Sequence, residues 1–468
     1  MGELHDLSAA EQRDAIRRGE LSSRELVEHY LERIAARNDE LAAFITVTAD
    51  EARAAAAAAD ERQAAGGPLG TLHGMPLAFK DLTDTAGVRT TYGSAAFEHH
   101  VPTRNAPMVR AMNDAGAVSV GKTNVPEFGL TGYTENLIAP PARLPADTRL
   151  SPAGSSGGSA VAVAAGLIPF GPGTDGGGSI RIPAAATGLI GLKPNRGRVP
   201  SGSAQEDLAG VAVAGPLART AEDAGLLLDA LVTGPPPRAV TAAPAGLSFR
   251  EAARRAPARL RIGVSTASPF DGWCDTSLST EARNSMDAAV RTLVAAGHTV
   301  DNVDIDYGTD YPDAFTAVWT SGVATLGLPD GGQERLTPLT QMFRRRAAAA
   351  SGPDLTRAVG ALRRFEARVI KQYSACDVIL TPALTRLPPP IGWYWEGDAD
   401  LDYRRQCEYS PYTSMLNVVG LPAITVPTWW APSGLSMSAQ LIGRPSDEAT
   451  LLSLAGELAR GITPAGRG

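Results

Sequence analysis

Two clusters rich in glycine and serine, residues 151–159 and 171–179, flank a short apolar segment and restrict what this chain can become. They lie in the stretch 150–194, which also threads Leu167, Ile168, Phe170, Ile180 and Ile182 among the glycines. Dense glycine costs backbone entropy, so it belongs where a chain turns sharply or comes close to something. N–H groups exposed in such loops can bind an anion or a developing oxyanion. A solvated linker accounts for the glycines and serines but not for the large apolar residues between them. The stretch therefore reads as two functional loops packed around a core segment.

Bulk properties narrow the setting. With 468 residues, 44% hydrophobic and 20% charged, the chain has ample material for a globular core. A net charge of −7 argues against a broad nucleic-acid surface. Cys274, Cys376 and Cys407 form no C-x-x-C pair, and of the six histidines only His99 and His100 are adjacent. Neither a disulfide framework nor a metal-ligand spacing is indicated. The first residues are acidic and lack an apolar stretch, and no run of eighteen apolar residues occurs, so neither a secretory signal nor a spanning helix is expected. The expectation is a cytoplasmic protein with no metal or organic cofactor and no membrane or nucleic-acid partner; a homodimer is left open.

Along the chain, strand-like and helix-like segments alternate. Ser8 with Glu11, and Ser22 or Ser23, cap a helix pair over 7–37. Strands are expected at 42–48, 75–79, 117–121, 259–265, 298–305, 377–381 and 422–427, and helices at 50–65, 106–115, 218–231, 280–296, across most of 336–373, and at 450–460. This alternation argues for an α/β layered fold. No linker divides it, so one domain over 1–468 is expected: a helical segment at 1–65, a core at 66–232 and a surface insertion at 234–257, where Pro, Ala and Arg crowd together.

Three local patterns bear on chemistry. Lys80 ends the apolar run 75–79 beside Asp81, an unusual place for a charge unless it is paired or its pKa shifts. Residues 116–123, from Gly116 to Lys122 and Thr123, fit a phosphate-binding loop. Their variable positions look like a strand, however, and Pro126 falls where the phosphate-binding helix should begin, so nucleotide binding stays an alternative only. Residues 154–158 match G-x-S-x-G, but Pro152 opposes the strand that must precede a nucleophile elbow, and only His298 lies downstream. A serine activated by a lysine of lowered pKa needs no histidine. Lys80, the serines between 155 and 179, and Gly176, Gly177 and Gly178 supply the parts.

Together these residues resemble the amidase signature enzymes, serine hydrolases with a Lys–cis-Ser–Ser triad. The resemblance rests on residues 74–81, 121–129, 152–159, 173–183, 417–423 and 440–445, in that order. It implies a single large α/β domain with a mixed central β-sheet sandwiched between helices. It implies hydrolysis of a small-molecule carboxylic amide through an acyl-enzyme on Ser179, with Ser155, after a cis peptide bond, relaying protons to the base Lys80. The N–H groups of Gly176, Gly177, Gly178 and Ser179 would bind the oxyanion, and the backbone of Gly129 would line the substrate site. Ser156, Thr174, Asp175 and Arg181 would orient the loops. One departure is Ala153, where the family usually has glycine. Trp393, Tyr394, Trp395 and Tyr412 are the candidates for an aromatic or apolar acyl pocket. Within the family, the alternative is the glutaminase subunit of a tRNA-dependent amidotransferase.

Overall fold

The computed structural model describes residues 3–200, 210–232 and 248–462. Eleven strands run among them: β1 (Phe44–Val47), β2 (Pro76–Lys80), β3 (Val118–Thr123), β4 (Phe170–Asp175), β5 (Ile190–Lys193), β6 (Val213–Ala218), β7 (Arg261–Val264), β8 (Thr299–Asn302), β9 (Val378–Pro382), β10 (Ala423–Trp430) and β11 (Ser436–Ile442). Eight of them form one mixed sheet in the order β4-β6-β5-β10-β11-β9-β7-β8. Its pairs are antiparallel from β4 to β9 and parallel from β9 through β7 to β8. The other three form a small sheet, β1-β3-β2, beside it.

Side-chain alternation along β10 and β11 shows why helices cover both faces. Ile424, Val426, Ala439 and Leu441 enter a core shared with the helices Thr280–Ala295 and Glu448–Gly461. Thr425 and Gln440 point the other way and meet Arg181, in the helix Arg181–Thr187. Strand neighbours face opposite sides of a sheet, so each strand serves two layers. The mixed sheet between helices matches the expected fold class; the small second sheet is an addition to it.

Local signals act as the sequence indicates at several helix starts. Ser8 accepts from the Glu11 amide while the Glu11 carboxylate accepts from the Ser8 amide, and Ser22 and Glu25 repeat the arrangement. The helix expected at 218–231 begins only at Ala221, because Ala218 closes β6. Residues 234–247 of the expected insertion lie outside the described residues. From Ser248 the chain is packed again: the helix Phe249–Arg254 buries Phe249, Ala252 and Ala253, and Ser453 donates to the Ala252 carbonyl at 2.7 Å.

The two sheets meet where the glycine-rich stretch lies. Strand β2 packs against β4, so the last residue of β2, Lys80, faces Thr174 near the end of β4. The first glycine-rich cluster then runs into the helix Gly157–Ala164, and the second leaves β4 for the helix Arg181–Thr187.

Candidate active site

Lys80 is fully buried, and its Nζ donates to Ser155 Oγ at 2.7 Å and to Thr174 Oγ1 at 3.0 Å. Burial draws its ammonium pKa down to about 7, against the opposing pull of the Asp175 charge. Asp81 does not pair with it. The Asp81 carboxylate takes the Thr91 hydroxyl and amide and stands 3.5 Å from the equally buried Lys122.

A lowered pKa alone would not single out Lys80. Burial brings Lys193 to about 7 and Lys122 to about 8. Lys193 donates to the Pro194 carbonyl, and Lys122 to the Thr83 carbonyl and the Thr90 hydroxyl. Lys80 is the one of the three that touches a serine, so geometry separates it from the others. The same facts dispose of the phosphate-loop alternative. Residues 118–123 are strand β3, and the Lys122 ammonium is enclosed by protein partners where a phosphate cannot reach it.

Ser155 follows the one cis peptide bond among the described residues, Gly154–Ser155. Ala153 has φ 61°, a left-handed conformation suited to the glycine that the resemblance leads one to expect there. Gly154 is hemmed in: a Cβ there would stand 2.7 Å from the Tyr133 carbonyl. Ser156 ties the two clusters together. Its amide donates to the Ser179 carbonyl at 3.2 Å, and its hydroxyl to the Thr174 carbonyl at 3.3 Å.

Asp175 shapes the second cluster. Its carboxylate accepts from the amides of Gly178 (2.8 Å) and Ile180 (3.2 Å), from the Arg181 guanidinium (3.0 and 2.9 Å), and from Asn417 Nδ2 (2.9 Å). Burial pushes this carboxyl up, but the Arg181 and Lys193 charges and these hydrogen bonds outweigh it and hold the pKa near 2. Arg181, itself fully buried, continues to Gln440 Oε1 and Asn417 Oδ1, each at 2.8 Å. Asn417 and Gln440 fall in motifs visible in the sequence, but no role can be read for them there, because their partners lie more than 200 residues away.

This arrangement corrects one expectation. The Gly178 amide is spent on Asp175, so it is not a free oxyanion donor; it holds the loop's shape instead. The amides of Gly176, Gly177 and Ser179 carry no hydrogen bond among the described residues. Gly178 itself, at φ 130°, leaves no room for a side chain, since a Cβ would fall 2.3 Å from Thr413 Oγ1.

The Ser179 hydroxyl is likewise without a hydrogen bond among the described residues and faces an open cleft. Gly129, Leu130, Thr131 and Gly132 form one side of this cleft, with the Gly129 Cα so close that an added Cβ would stand 3.2 Å from Ser155 Oγ. The aromatic residues of the lining are Phe270, Phe315, Trp319 and Tyr403. The expected aromatics are elsewhere. Tyr394 is buried and stacks on Tyr133, Trp393 lies under Arg386 and Arg405, Trp395 is exposed, and Tyr412 donates to the Thr266 carbonyl. Away from the cleft, Glu3, His5 and His29 bring their ligand atoms within 4.8 Å of one another, a grouping that no sequence spacing displays.

The family model described as Amidase matches residues 25–452. AmiB2 of Mycobacterium tuberculosis is 40% identical over 457 residues, covering 96% of this chain and 95% of that protein. A component of the glutamyl-tRNA(Gln) amidotransferase of a Roseiflexus species is 35% identical, with 96% and 95% covered. Among solved structures, 6-aminohexanoate cyclic dimer hydrolase complexed with substrate is 28% identical, with a TM-score of 0.87 and 98% of both chains covered.

Proposed function

The chain belongs to the amidase signature family and is an amide hydrolase; on that footing we propose that Ser179 is its nucleophile, Ser155 its proton relay and Lys80 its base. The observation that carries this reading is the 2.7 Å hydrogen bond from a fully buried Lys80 to the Ser155 hydroxyl. A lysine with a pKa of about 7 is half neutral at neutral pH and can take a proton.

In this reading neutral Lys80 takes the proton of Ser155 as Ser155 takes that of Ser179. The Ser179 oxygen attacks the amide carbonyl carbon. The unengaged amides of Gly176, Gly177 and Ser179 receive the oxyanion, each such donor typically worth about 2.7–4 kcal/mol. The C–N bond breaks as the proton returns through Ser155 to the departing amine. Water then attacks the ester along the same relay, releasing the carboxylic acid and restoring Ser179. The sum is amide plus water to acid plus amine.

A glutaminase role is the less favoured reading. Glutamine carries an ammonium and a carboxylate, and the described residues lining the cleft include no charged side chain to receive either. Free Cys274, Cys376 and Cys407 suit a reducing, cytoplasmic setting. Fluorophosphonate labelling tests the proposal: the wild type should be modified at Ser179, and Ser179→Ala should lose both the label and amide hydrolysis. Hydrolysis undiminished in Ser179→Ala would remove the basis of the mechanism.

A further inference from the structure

One helix, Tyr311–Ala324, carries three aromatic rings at successive four-residue steps, Tyr311, Phe315 and Trp319. Residues four apart lie on one helix face. The rings stack: Tyr311 on Phe315 with centroids 5.5 Å apart and planes at 11°, and Phe315 on Trp319 at 5.7 Å and 18°. The base of the column is fixed. Tyr311 is buried, shares a 2.9 Å hydrogen bond with Ser414 Oγ, and meets the edge of Phe270. The top is open, with Trp319 half-buried at the cleft.

The column leans on the oxyanion loop. A Cβ built at Gly176 would stand 3.2 Å from Trp319 Cζ3, and one at Gly177 3.8 Å from Phe315 Cζ. The rings therefore touch backbone whose amides are free to hold a substrate carbonyl. The polar side chains around them have protein partners already. Thr131 donates to the Tyr133 carbonyl, Gln406 binds Asp402 and Gly132, Tyr403 shares a bond with Thr316, Ser410 donates to the Gln406 carbonyl, and Ser414 meets Tyr311. With Leu130, Ile182 and the free Cys407 completing the lining, what the cleft offers a ligand beyond Ser179 and the loop amides is largely apolar surface, and four aromatic rings supply its flat part.

Resting on the Ser179 reading above, we propose that the acyl group of the substrate is a flat aromatic ring held against Phe315 and Trp319. The side is fixed by the relay. The proton that leaves with the amine comes from Ser155, which stands beside Gly129, so the amine departs on the Gly129 side. The acyl substituent is then left the part of the lining where Phe315 and Trp319 stand against Gly177 and Gly176. Offset or edge contacts between aromatic rings add to simple area burial, enough for about two- to tenfold in rate.

Benzamide and cyclohexanecarboxamide have six-membered rings of similar size, one flat and one puckered. The wild type should favour benzamide in kcat/KM by about two- to tenfold. Trp319→Ala should erase this preference and Trp319→Phe should keep part of it, both variants being checked for native circular dichroism. A wild type that treats the two amides alike, or turns over neither, would overturn the aromatic assignment while Ser179 still labels with fluorophosphonate. So would a preference that survives Trp319→Ala. Loss of labelling in the wild type would instead overturn the nucleophile reading on which this one rests.

Discussion

Lys80 Nζ and Ser155 Oγ stand 2.7 Å apart at the seam between two sheets, although 75 residues separate them in the chain. The pH dependence of the reaction follows from that contact. The proposed relay needs Lys80 neutral, and a base with a pKa of about 7 is neutral above that value and protonated below it. The expected profile of kcat/KM rises about tenfold per pH unit below the midpoint and levels off above pH 7. Lys80→Met should lower kcat/KM by about 10²–10⁴ at neutral pH and abolish the midpoint. Lys193→Met should leave the midpoint in place; a profile that followed Lys193 instead would move the base role to that residue.

The Arg181–Asp175 pair is buried on both sides, so breaking it leaves an uncompensated charge. Arg181→Met should cost about 3–5 kcal/mol in stability, read as a shift of the urea midpoint. Because Asp175 also holds the Gly178 and Ile180 amides, the loop should loosen as well. Fluorophosphonate labelling of Ser179 should slow in Arg181→Met even under conditions where the protein stays folded. Labelling at the wild-type rate would show that Asp175 shapes the loop without its partner.

Gly178 offers a sharper local test. Alanine there meets Thr413 Oγ1 at 2.3 Å and must hold φ near 130°. Gly178→Ala should lower kcat about 10²-fold or more, comparable to losing an oxyanion donor. KM should move less, because the aromatic wall is untouched. A variant with unchanged kcat would mean that the loop can flex away from Thr413 at no cost to the reaction.

Lys122 separates two readings of the sequence. Its ammonium is enclosed by Asp81, Thr83 and Thr90. Lys122→Met should strip Asp81 of its cation and destabilise the fold by about 3–5 kcal/mol. Equilibrium dialysis of the wild type against ATP should find no binding. Saturable ATP binding that Lys122→Met removes would restore the phosphate-loop reading.

How far the sequence alone leads depends on the kind of residue. Lys80 stands out at the end of an apolar run and the serines between 155 and 179 in dense runs of small residues, but only the resemblance to the amidase signature enzymes singles out Ser155 and Ser179 among those serines. Strand β4 is not legible. Its sequence, Phe-Gly-Pro-Gly-Thr-Asp, has weak strand propensity and looks like part of a loop. Gly173 is there for packing: a Cβ would approach Ile180 Cγ1 to 3.0 Å and Ser156 Oγ to 3.1 Å. Tertiary contact overrides local preference at that strand. Asp175 is visible as an orienting residue, yet its capture of the Gly178 amide requires coordinates. The aromatic column has a signal, the four-residue spacing of Tyr311, Phe315 and Trp319, but nothing local ties those rings to a loop far upstream at Gly176 and Gly177. Trp393 and its neighbours draw attention by composition and belong to other contacts.

Strand β11, the last strand among the described residues, lies in the interior of the large sheet between β10 and β9. It also carries Gln440, one of the anchors of Arg181. During synthesis on the ribosome, therefore, the two serine loops emerge hundreds of residues before the strand that completes the sheet behind them. Until residue 442 has been made and threaded into place, the half-built chain has both serine loops but not the strand that completes the sheet behind them. The order of translation thus puts the anchor of Arg181 last: the loop that Asp175 and Arg181 shape gains its Gln440 contact only as the sheet closes.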